Sequence, residues 1–392
     1  MPSEAPIHAA TGGTTYPQMR LDLDALQTNI RIMAAWTTSR GVSLAPHVKT
    51  TMSRPIVERQ LAAGAAGVAV ATVEQAEIVA DWGVGAPILL ANEVLDQDGL
   101  ARLRDVNGRH PFGVTVLVDS VEGVAAAARG LGRGDRPLCV LVDVGTPGGR
   151  TGVRLPGEAR QVAQAVAGAT GLRLSGTSGY EGVVENARTG EVLASVDAHC
   201  QRIVEVFAAL APMYETDEPL LSMGGSVFPD RVVAAVPASG PVSRARVQLR
   251  SGCYVTHDHG VYLRTSPVVG LVPAVTVRAV VVSQPEPGVA VIGAGKRELP
   301  HDAGPPMVVG ASGGRPTERT PPAGSVTAMY DHHCVVSGTD LAVGEIVDLG
   351  ISHPCSVFAR WDAYLVTRGD EVVDVWPTEF RRGRPEESPR RG

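Results

Sequence analysis

The stretch that decides the fold is GVAVATVEQAEIVADWGVGAPILLANEV, residues 67–94. It begins with a short uncharged run rich in valine, continues with the Ala-containing amphipathic run EQAEIVADWG (74–83), and ends with the apolar run APILLANEV (86–94). The two outer runs predict buried strands, and the middle run predicts a helix. A strand–helix–strand unit of this kind predicts parallel strands joined by a crossover helix.

The same alternation continues over residues 20–260. Further predicted strands are VTVLVDS (114–120), LCVLVDVG (138–145), LRLSGTSGYEG (172–182), LLSMGG (220–225) and VQLRSGCYV (247–255). The predicted helices between them include VEGVAAAARGLG (121–132), GEARQVAQAVAGA (157–169) and VDAHCQRIVEVFAALA (196–211). If RGVSLAP (40–46) is the first strand, the count is eight, which favours a (β/α)8 TIM barrel. An open doubly wound sheet is the alternative.

The pattern changes from residue 261 onward. Valine-rich alternating runs such as PAVTVRAVVVS (273–283) and EIVDLGIS (345–352) are separated by Gly/Pro clusters such as ASGGRPTERTPPAG (311–324). This pattern predicts an antiparallel β domain over residues 261–380, without a convincing helix. The polar tail RRGRPEESPRRG (381–392) is predicted to be disordered.

Composition excludes several classes of protein. The net charge is −6 and only 4% of residues are aromatic, so neither a basic field nor a stacking surface for nucleic acid or an anionic membrane is expected. The five cysteines are scattered without CxxC spacing, which indicates a reducing compartment and not a disulfide framework. We expect a cytoplasmic protein, because neither a secretory signal nor an apolar run of about 20 residues is visible.

Lysine is rare in this chain. Of the 35 basic side chains, only Lys49 and Lys296 carry a primary amine. Lys49 follows the predicted first strand, at the end of a barrel strand where catalytic groups are usually found. A primary amine can form a Schiff base with a carbonyl, and arginine cannot. An ordinary surface lysine is the alternative, and Lys296, in a glycine-bounded turn, is predicted to be one.

Glycine-rich loops follow two consecutive late strands, at MGGSVF (223–228) and RSGCY (250–254). Backbone N–H groups and the hydroxyl of Ser226 can converge there on a phosphate, as loops after the last barrel strands often do. Glycine required only by tight turns is the alternative. An earlier loop, DVGTPGGRTGVR (143–154), contains Arg150, which could donate hydrogen bonds to an anionic ligand. An arginine that is only solvated in the loop is the alternative.

The β domain contains the motif ISHPCSVF (351–358). His353 and Cys355 are two positions apart, so in a strand both side chains point to one face. Imidazole and thiolate suit a zinc-like ion, and open coordination positions would make that ion a Lewis acid. A buried histidine beside a buried cysteine is the alternative. YDHHCVV (330–336) offers competing ligands, namely His332, His333 and Cys334.

The motif APHVKT (45–50) resembles the lysine motif of the D-threonine aldolase and D-serine dehydratase family. The resemblance continues through most of the chain, in QLAAGAAGVAVATVEQAEI, ILLANEV, VDVGTPGGRTGV, GYEG, GGS, RSGCYVTHD, GEIVDLGISHPCSVFARWDAYLV and DVWP. KTTMS and ISHPC are most similar to the bacterial D-serine deaminase-like subgroup. The resemblance implies an alanine racemase-type (fold type III) barrel with a C-terminal β domain, which residues 1–19 are expected to join. It also implies pyridoxal 5'-phosphate, a divalent metal and a homodimer.

The resemblance assigns roles to individual residues. Lys49 would hold the cofactor, Arg150 would contact its phenolic oxygen, and Tyr180 would line the active site. The phosphate-loop positions are Gly224, Gly225, Ser226, Gly252 and Cys253. The family commonly has a hydroxyl residue where Cys253 stands, so its backbone N–H is expected to contribute more than its side chain. His353 and Cys355 match the metal pair, with zinc favoured and manganese possible. His333 matches a histidine near the site, with its role open.

The implied activity is a lyase reaction of D-amino acid metabolism, acting on D-β-hydroxy amino acids. D-serine dehydratase-like deamination to a 2-oxo acid and ammonia is favoured, because that branch has His-x-Cys where D-threonine aldolases have His-x-Asp. Retro-aldol cleavage to glycine and an aldehyde is the alternative. Racemisation is less favoured, since racemases of this fold need a second base and no metal. A non-catalytic cofactor-binding protein is the remaining alternative, although it would not need a metal pair.

Overall fold

The structure, a computed structural model, describes residues 15–132, 136–237, 240–312 and 324–380. These residues form an eight-stranded parallel sheet and a nine-stranded mixed sheet. The parallel strands are Ser43–Leu44, Val68–Val70, Ile88–Leu90, Val114–Val118, Leu138–Val144, Leu172–Gly179, Leu220–Ser222 and Arg246–Leu249. The accompanying helices are Leu23–Thr38, Arg54–Ala62, Val73–Asp81, Gln97–Arg109, Val121–Leu131, Pro156–Ala167, Gly190–Leu210 and Pro229–Ala235. The predicted barrel, with RGVSLAP as its first strand, is confirmed.

The parallel sheet closes on itself through its first two strands. Ser43–Leu44 pairs in parallel with Arg246–Leu249 at one side. On the other side, the N–H groups of Ala66 and Ala69 donate to the carbonyl oxygens of Leu44 and Pro46, at 2.8 and 2.9 Å. These bonds exclude the open doubly wound alternative, because an open sheet leaves both of its edge strands unpaired.

Local signals place the barrel helices. The hydroxyl of Thr72 accepts a hydrogen bond from the Gln75 N–H at the start of Val73–Asp81, and Ser120 caps Val121–Leu131 in the same way. The main apolar core includes side chains of both the helices and the strands. A separate small cluster takes one leucine from each of four strands, and these are Leu89, Leu117, Leu141 and Leu220. Such inward-facing side chains fill the interior of a barrel.

The second sheet contains the strands Gln18–Asp22, Val275–Glu286, Val289–Ile292, Met307–Ser312, Ser325–Met329, Cys334–Ser337, Ile346–Gly350, Ala363–Arg368 and Glu371–Pro377. Gln18–Asp22 is antiparallel to Val275–Glu286 but parallel to Ala363–Arg368. The sheet is therefore mixed, and not purely antiparallel as predicted, because a strand from the start of the chain is inserted into it. A short helix, Val261–Thr265, also lies where no helix was predicted.

Some predictions concern parts of the chain without a structural description. Residues 1–14 and the predicted disordered tail, 381–392, lie outside the described residues. The domain limits of 20–260 and 261–380 stay predictions. Within the described ranges, no helix combines the length and apolar character needed to cross a bilayer.

The second sheet delivers the ISHPC loop to the barrel through backbone contacts. The N–H groups of His259 and Val261 donate to the carbonyl oxygens of Ile351 and Ser352, at 3.0 and 3.1 Å. A side chain at Gly260 would place its Cβ 2.6 Å from the Ser352 oxygen, so this close approach requires glycine. The loop is thereby fixed against the segment that follows the last barrel strand.

Candidate active site

A cavity of about 280 Å³ opens at the carboxyl ends of the barrel strands. It is lined by nine of the ten predicted site residues, which are Lys49, Arg150, Tyr180, Gly224, Gly225, Ser226, Gly252, Cys253 and Cys355. The tenth, His353, adjoins the cavity beside the two cysteines. The fold therefore brings together residues that are up to about 300 positions apart in sequence.

Lys49 lies on a single 3-10 turn, Val48–Thr50, directly after the first barrel strand. The side chain is half-buried, and it lines the cavity. Met52, two residues beyond the turn, is fully buried and has a φ of 39°, which non-glycine residues rarely adopt. Such backbone persists only when surrounding packing enforces it, so the turn that carries the amine is held rigidly.

The two glycine loops approach their neighbours too closely for a side chain. A Cβ at Gly252 would lie 2.5 Å from the carbonyl oxygen of His47, and one at Gly225 would lie 2.9 Å from the Tyr180 ring. Ser226 contributes a hydroxyl to the same wall of the cavity. Glycine is therefore required at both positions for the close packing of the two loops against His47 and Tyr180, beside the cavity.

The carboxylate of Glu181 already uses part of the first glycine loop. It accepts hydrogen bonds from the N–H groups of Gly224 and Gly225, at 3.0 and 2.6 Å. Glu181 is 1% exposed, and this burial raises the pKa of its carboxyl. Sequence reasoning missed Glu181, although it lies in the quoted GYEG motif. An anion at this wall would therefore depend on Ser226 and on the second loop for its donors.

Arg250 places a buried positive charge at the floor of the cavity. Its guanidinium donates to the hydroxyl of Ser178, to the carbonyl oxygen of Ser222 and to that of Gly179, at 2.9, 2.8 and 2.7 Å. Burial lowers the pKa of Arg250 and raises that of the nearby Asp143 carboxyl, while their opposite charges counteract both shifts. Sequence reasoning missed Arg250. The signal that could have found it is a charged residue at the end of a buried strand.

Arg150 and Tyr180 form one wall of the cavity together. The guanidinium carbon of Arg150 lies 5.0 Å from the centroid of the Tyr180 ring, within the range of a cation–π interaction. Burial, together with the neighbouring Glu181, raises the pKa of the Tyr180 phenol. The phenol therefore keeps its proton at neutral pH and is available as a hydrogen-bond donor.

Two thiols and an imidazole meet at the other end of the cavity. The ligand atoms of Cys253, His353 and Cys355 all lie within 4.8 Å of one another, and the two sulfurs are 3.3 Å apart. The hydrogen bond between the thiols lowers the pKa of Cys253 and raises that of Cys355, so Cys253 ionises first. Soft sulfur and imidazole ligands of this kind fit a zinc-like ion.

The carboxylate of Asp302 orients the imidazole. Its Oδ2 lies 2.7 Å from Nδ1 of His353, which leaves Nε2 to face the sulfurs. Burial lowers the pKa of His353, but the hydrogen bonds to Asp302 and Cys253 outweigh it and raise the pKa to about 10. Asp302 is 51 positions from the histidine, and no sequence signal pointed to it.

The competing ligands suggested by YDHHCVV lie elsewhere. His332 and His333 are exposed, and the His332 ring pairs with Glu298 at 2.7 Å. Cys334 is fully buried in the second sheet. Within the described part of the chain, the cysteine–histidine group contains none of these three residues.

Comparison with known proteins matches this architecture. Residues 21–227 match the family described as alanine racemase, N-terminal domain, and residues 274–367 match a putative serine dehydratase domain. A D-threonine aldolase from Arthrobacter sp. is 27% identical, over 93% of this chain and 92% of that protein. A D-threo-3-hydroxyaspartate dehydratase from Delftia sp. is 28% identical, over 92% and 96%. The crystal structure of D-threonine aldolase from Filomicrobium marinum superimposes with a TM-score of 0.77 at 26% identity, covering 93% and 94%.

Proposed function

Since the chain belongs to the family with an alanine racemase N-terminal domain, in its D-threonine aldolase and D-serine dehydratase branch, we propose a lyase that uses pyridoxal phosphate and a divalent metal. Its substrates are D-β-hydroxy amino acids, and the favoured reaction is deamination to a 2-oxo acid and ammonia. One observation carries the proposal. Lys49, the Arg150–Tyr180 wall and the two cysteines of the cysteine–histidine group line a single cavity, and the histidine of that group adjoins it.

The residues of the barrel end fit the cofactor. Lys49 would hold the aldehyde carbon of the cofactor through its amine, and Arg150 would donate to the phenolic oxygen. The phosphate would be held by the two glycine loops, with the hydroxyl of Ser226 and the backbone N–H groups of Gly252 and Cys253 as donors. Pyridoxal phosphate, when bound, supplies a ring that withdraws electrons from the substrate's Cα.

Lys49 performs the proton transfer in this proposal. With the substrate bound, the free amine of Lys49, held by its turn at the cavity, would take the proton from Cα of the substrate. The Cα–H and Cβ–O bonds break, so that water is lost. One water molecule is taken up again when the C–N bond is hydrolysed, which gives a 2-oxo acid and ammonia with all atoms balanced.

His353 and Cys355 would hold the metal. A bound divalent ion supplies Lewis acidity that makes the β-hydroxyl a better leaving group. Asp302 binds Nδ1 of the His353 imidazole, so the other ring nitrogen, Nε2, is left to bind the metal. Soft ligands favour zinc over magnesium, calcium or manganese at this position.

Retro-aldol cleavage to glycine and an aldehyde is the second candidate, because the Arthrobacter relative carries the name D-threonine aldolase. In that reaction the Cα–Cβ bond breaks, and the β-hydroxyl loses its proton instead of leaving. Incubation with D-serine and D-threonine separates the two, since dehydration yields ammonia and a 2-oxo acid while cleavage yields glycine and an aldehyde. Ammonia from both substrates is the expected result.

Substitution of lysine tests the cofactor attachment. The purified protein should show the visible absorption band of lysine-bound pyridoxal phosphate, and Lys49→Ala should lose both the band and turnover. Lys296→Ala is the matched control, since it removes the other lysine of the chain from an exposed turn. A band that persists in Lys49→Ala, or an absence of turnover with any D-β-hydroxy amino acid, contradicts the proposal.

We also propose a homodimer, by analogy with the fold family, in which the β domain of one chain commonly completes the site of the other. Sedimentation velocity measures the mass directly. A monomer at micromolar concentration that retains full turnover would refute this part of the proposal.

A further inference from the structure

Cys253 occupies a position where the phosphate loop and the cysteine–histidine group meet. Its backbone belongs to the second glycine loop, at the start of the 3-10 turn Cys253–Val255. Its side chain points away from that role, because its sulfur lies 3.3 Å from the sulfur of Cys355 and 3.7 Å from the hydroxyl of Thr50. The backbone of Cys253 therefore faces the phosphate loop, and its side chain faces the cysteine–histidine group.

We propose that Cys253 is a third protein ligand of the metal, so that this chain builds a Cys–His–Cys centre with one open position and not a two-ligand site. The role of the open position rests on the proposed function: it would take the β-hydroxyl of the substrate. It goes further in assigning to the Cys253 sulfur a role that the resemblance does not give it.

The distances suit a single ion. Around a tetrahedral zinc with Zn–S bonds of about 2.3 Å, two sulfurs stand about 3.7 Å apart. The observed separation of 3.3 Å needs only a small adjustment to reach that geometry. All three ligand atoms lie within 4.8 Å of one another, which is compatible with coordination of a single ion.

The surroundings hold the ligands in place. Cys253 is 6% exposed, and Cys355 lies on its own 3-10 turn, Pro354–Ser356. The carboxylate of Asp302 accepts from Ser356 at 3.3 Å and lies 2.7 Å from Nδ1 of His353, so it braces both the turn and the imidazole. A bound ion would therefore join the end of the last barrel strand to the loop of the second sheet.

The ligand set predicts how the metal behaves. Two thiolates and one imidazole prefer a thiophilic ion such as zinc, and they disfavour manganese and magnesium. Three protein ligands with one open position are the arrangement of a catalytic zinc site. A third ligand should also slow metal release, so chelators should remove the ion from Cys253→Ser faster than from the unaltered protein.

X-ray absorption at the zinc edge of the purified holoenzyme counts the sulfur ligands directly. We expect two sulfurs in the unaltered protein and one in Cys253→Ser, with chelator-driven zinc loss at least about tenfold faster in the variant. Cys139→Ser is the matched control, because Cys139 is a free thiol of another barrel strand that contacts Arg173 and is not part of the cysteine–histidine group. It should keep two sulfurs and the original rate of zinc loss.

The unaltered protein alone can overturn the proposal, whether or not Cys253→Ser folds. A single sulfur at the zinc refutes it. So does a disulfide between Cys253 and Cys355, seen as three free thiols instead of five after denaturation without reductant. A two-sulfur centre in a protein that lacks the cofactor band would refute the proposed function and leave the metal assignment standing.

Discussion

At the barrel end of the cavity, Lys49, Tyr180 and Ser226 each follow a different strand of one sheet, whereas at the opposite end His353 and Cys355 lie in a loop of the second sheet. The barrel groups are positioned by local strand ends, which face the same way because the strands are parallel. The metal end depends on the backbone contacts that dock the ISHPC loop next to Cys253. Changes at one end should therefore leave the other largely intact.

Removal of the imidazole should break the metal end most completely. We expect His353→Ala to lower turnover by at least about a hundredfold, since the Lewis acid loses a ligand. The visible cofactor band should remain, because Lys49 is untouched. His332→Ala, which alters an exposed histidine of the second sheet, is the control and should keep full turnover. Unchanged turnover in His353→Ala would contradict the assignment of His353 to a metal site that turnover requires.

The orienting carboxylate should have a smaller effect. Asp302→Asn keeps the size of the side chain but removes the charge that holds His353, so metal affinity should fall about 10–100-fold. Competition with a coloured chelator measures this change. The control is Asp331→Asn, in which an exposed carboxylate 3.8 Å from Arg297 is neutralised. Equal affinities in the two variants would mean that Asp302 does not act through the histidine.

A methyl group at the glycine wall tests the barrel end. In Gly252→Ala, the added Cβ would meet the His47 oxygen at 2.5 Å, and the backbone must shift. We expect a loss of about 1–3 kcal/mol in the free energy of unfolding, with weaker cofactor binding. Urea denaturation and cofactor titration measure the two effects. Gly157→Ala, which meets no atom within 4 Å, should cost nothing, and a similar loss there would remove the steric explanation.

The smallest expected effect on the active site concerns Glu93, near the barrel end, where the change is in the pH dependence of folding stability. Both of its carboxylate oxygens are buried without a hydrogen-bond partner, and burial with the nearby Asp143 and Asp119 raises its pKa from 4.5 to about 7. The folded protein thus retains a proton that the unfolded chain releases. Stability should therefore fall as the pH rises from 4.5 to 7 and should level off above that.

Glu93→Gln should remove this dependence. The variant should melt at a temperature above that of the unaltered protein at pH 8, with the difference vanishing towards pH 4.5. Glu122→Gln, which alters an exposed residue of a barrel helix, is the control. A difference that does not change with pH would show that the carboxyl of Glu93 does not titrate in this range.

Local patterns predicted much of this molecule. The 67–94 unit and its repeats predicted the barrel because a buried strand and an amphipathic helix each leave a periodic trace in sequence. The mixed character of the second sheet was missed, since the residue pattern of Gln18–Asp22 does not indicate that this strand runs parallel to Ala363–Arg368. The expectation that residues 1–19 join this domain did not include a strand direction. Glu181 and Arg250 were missed because their partners are backbone groups and hydroxyls of other strands.

The sequence by itself determined the barrel, the uncommon amine at position 49 and the glycine loops, because each depends on residues that are neighbours in the chain. Only the tertiary structure decided that the sulfur of Cys253 turns from the phosphate loop towards Cys355, 102 positions away. The physical reason is that this meeting depends on how two separate sheets pack together. No periodicity within either segment records that packing.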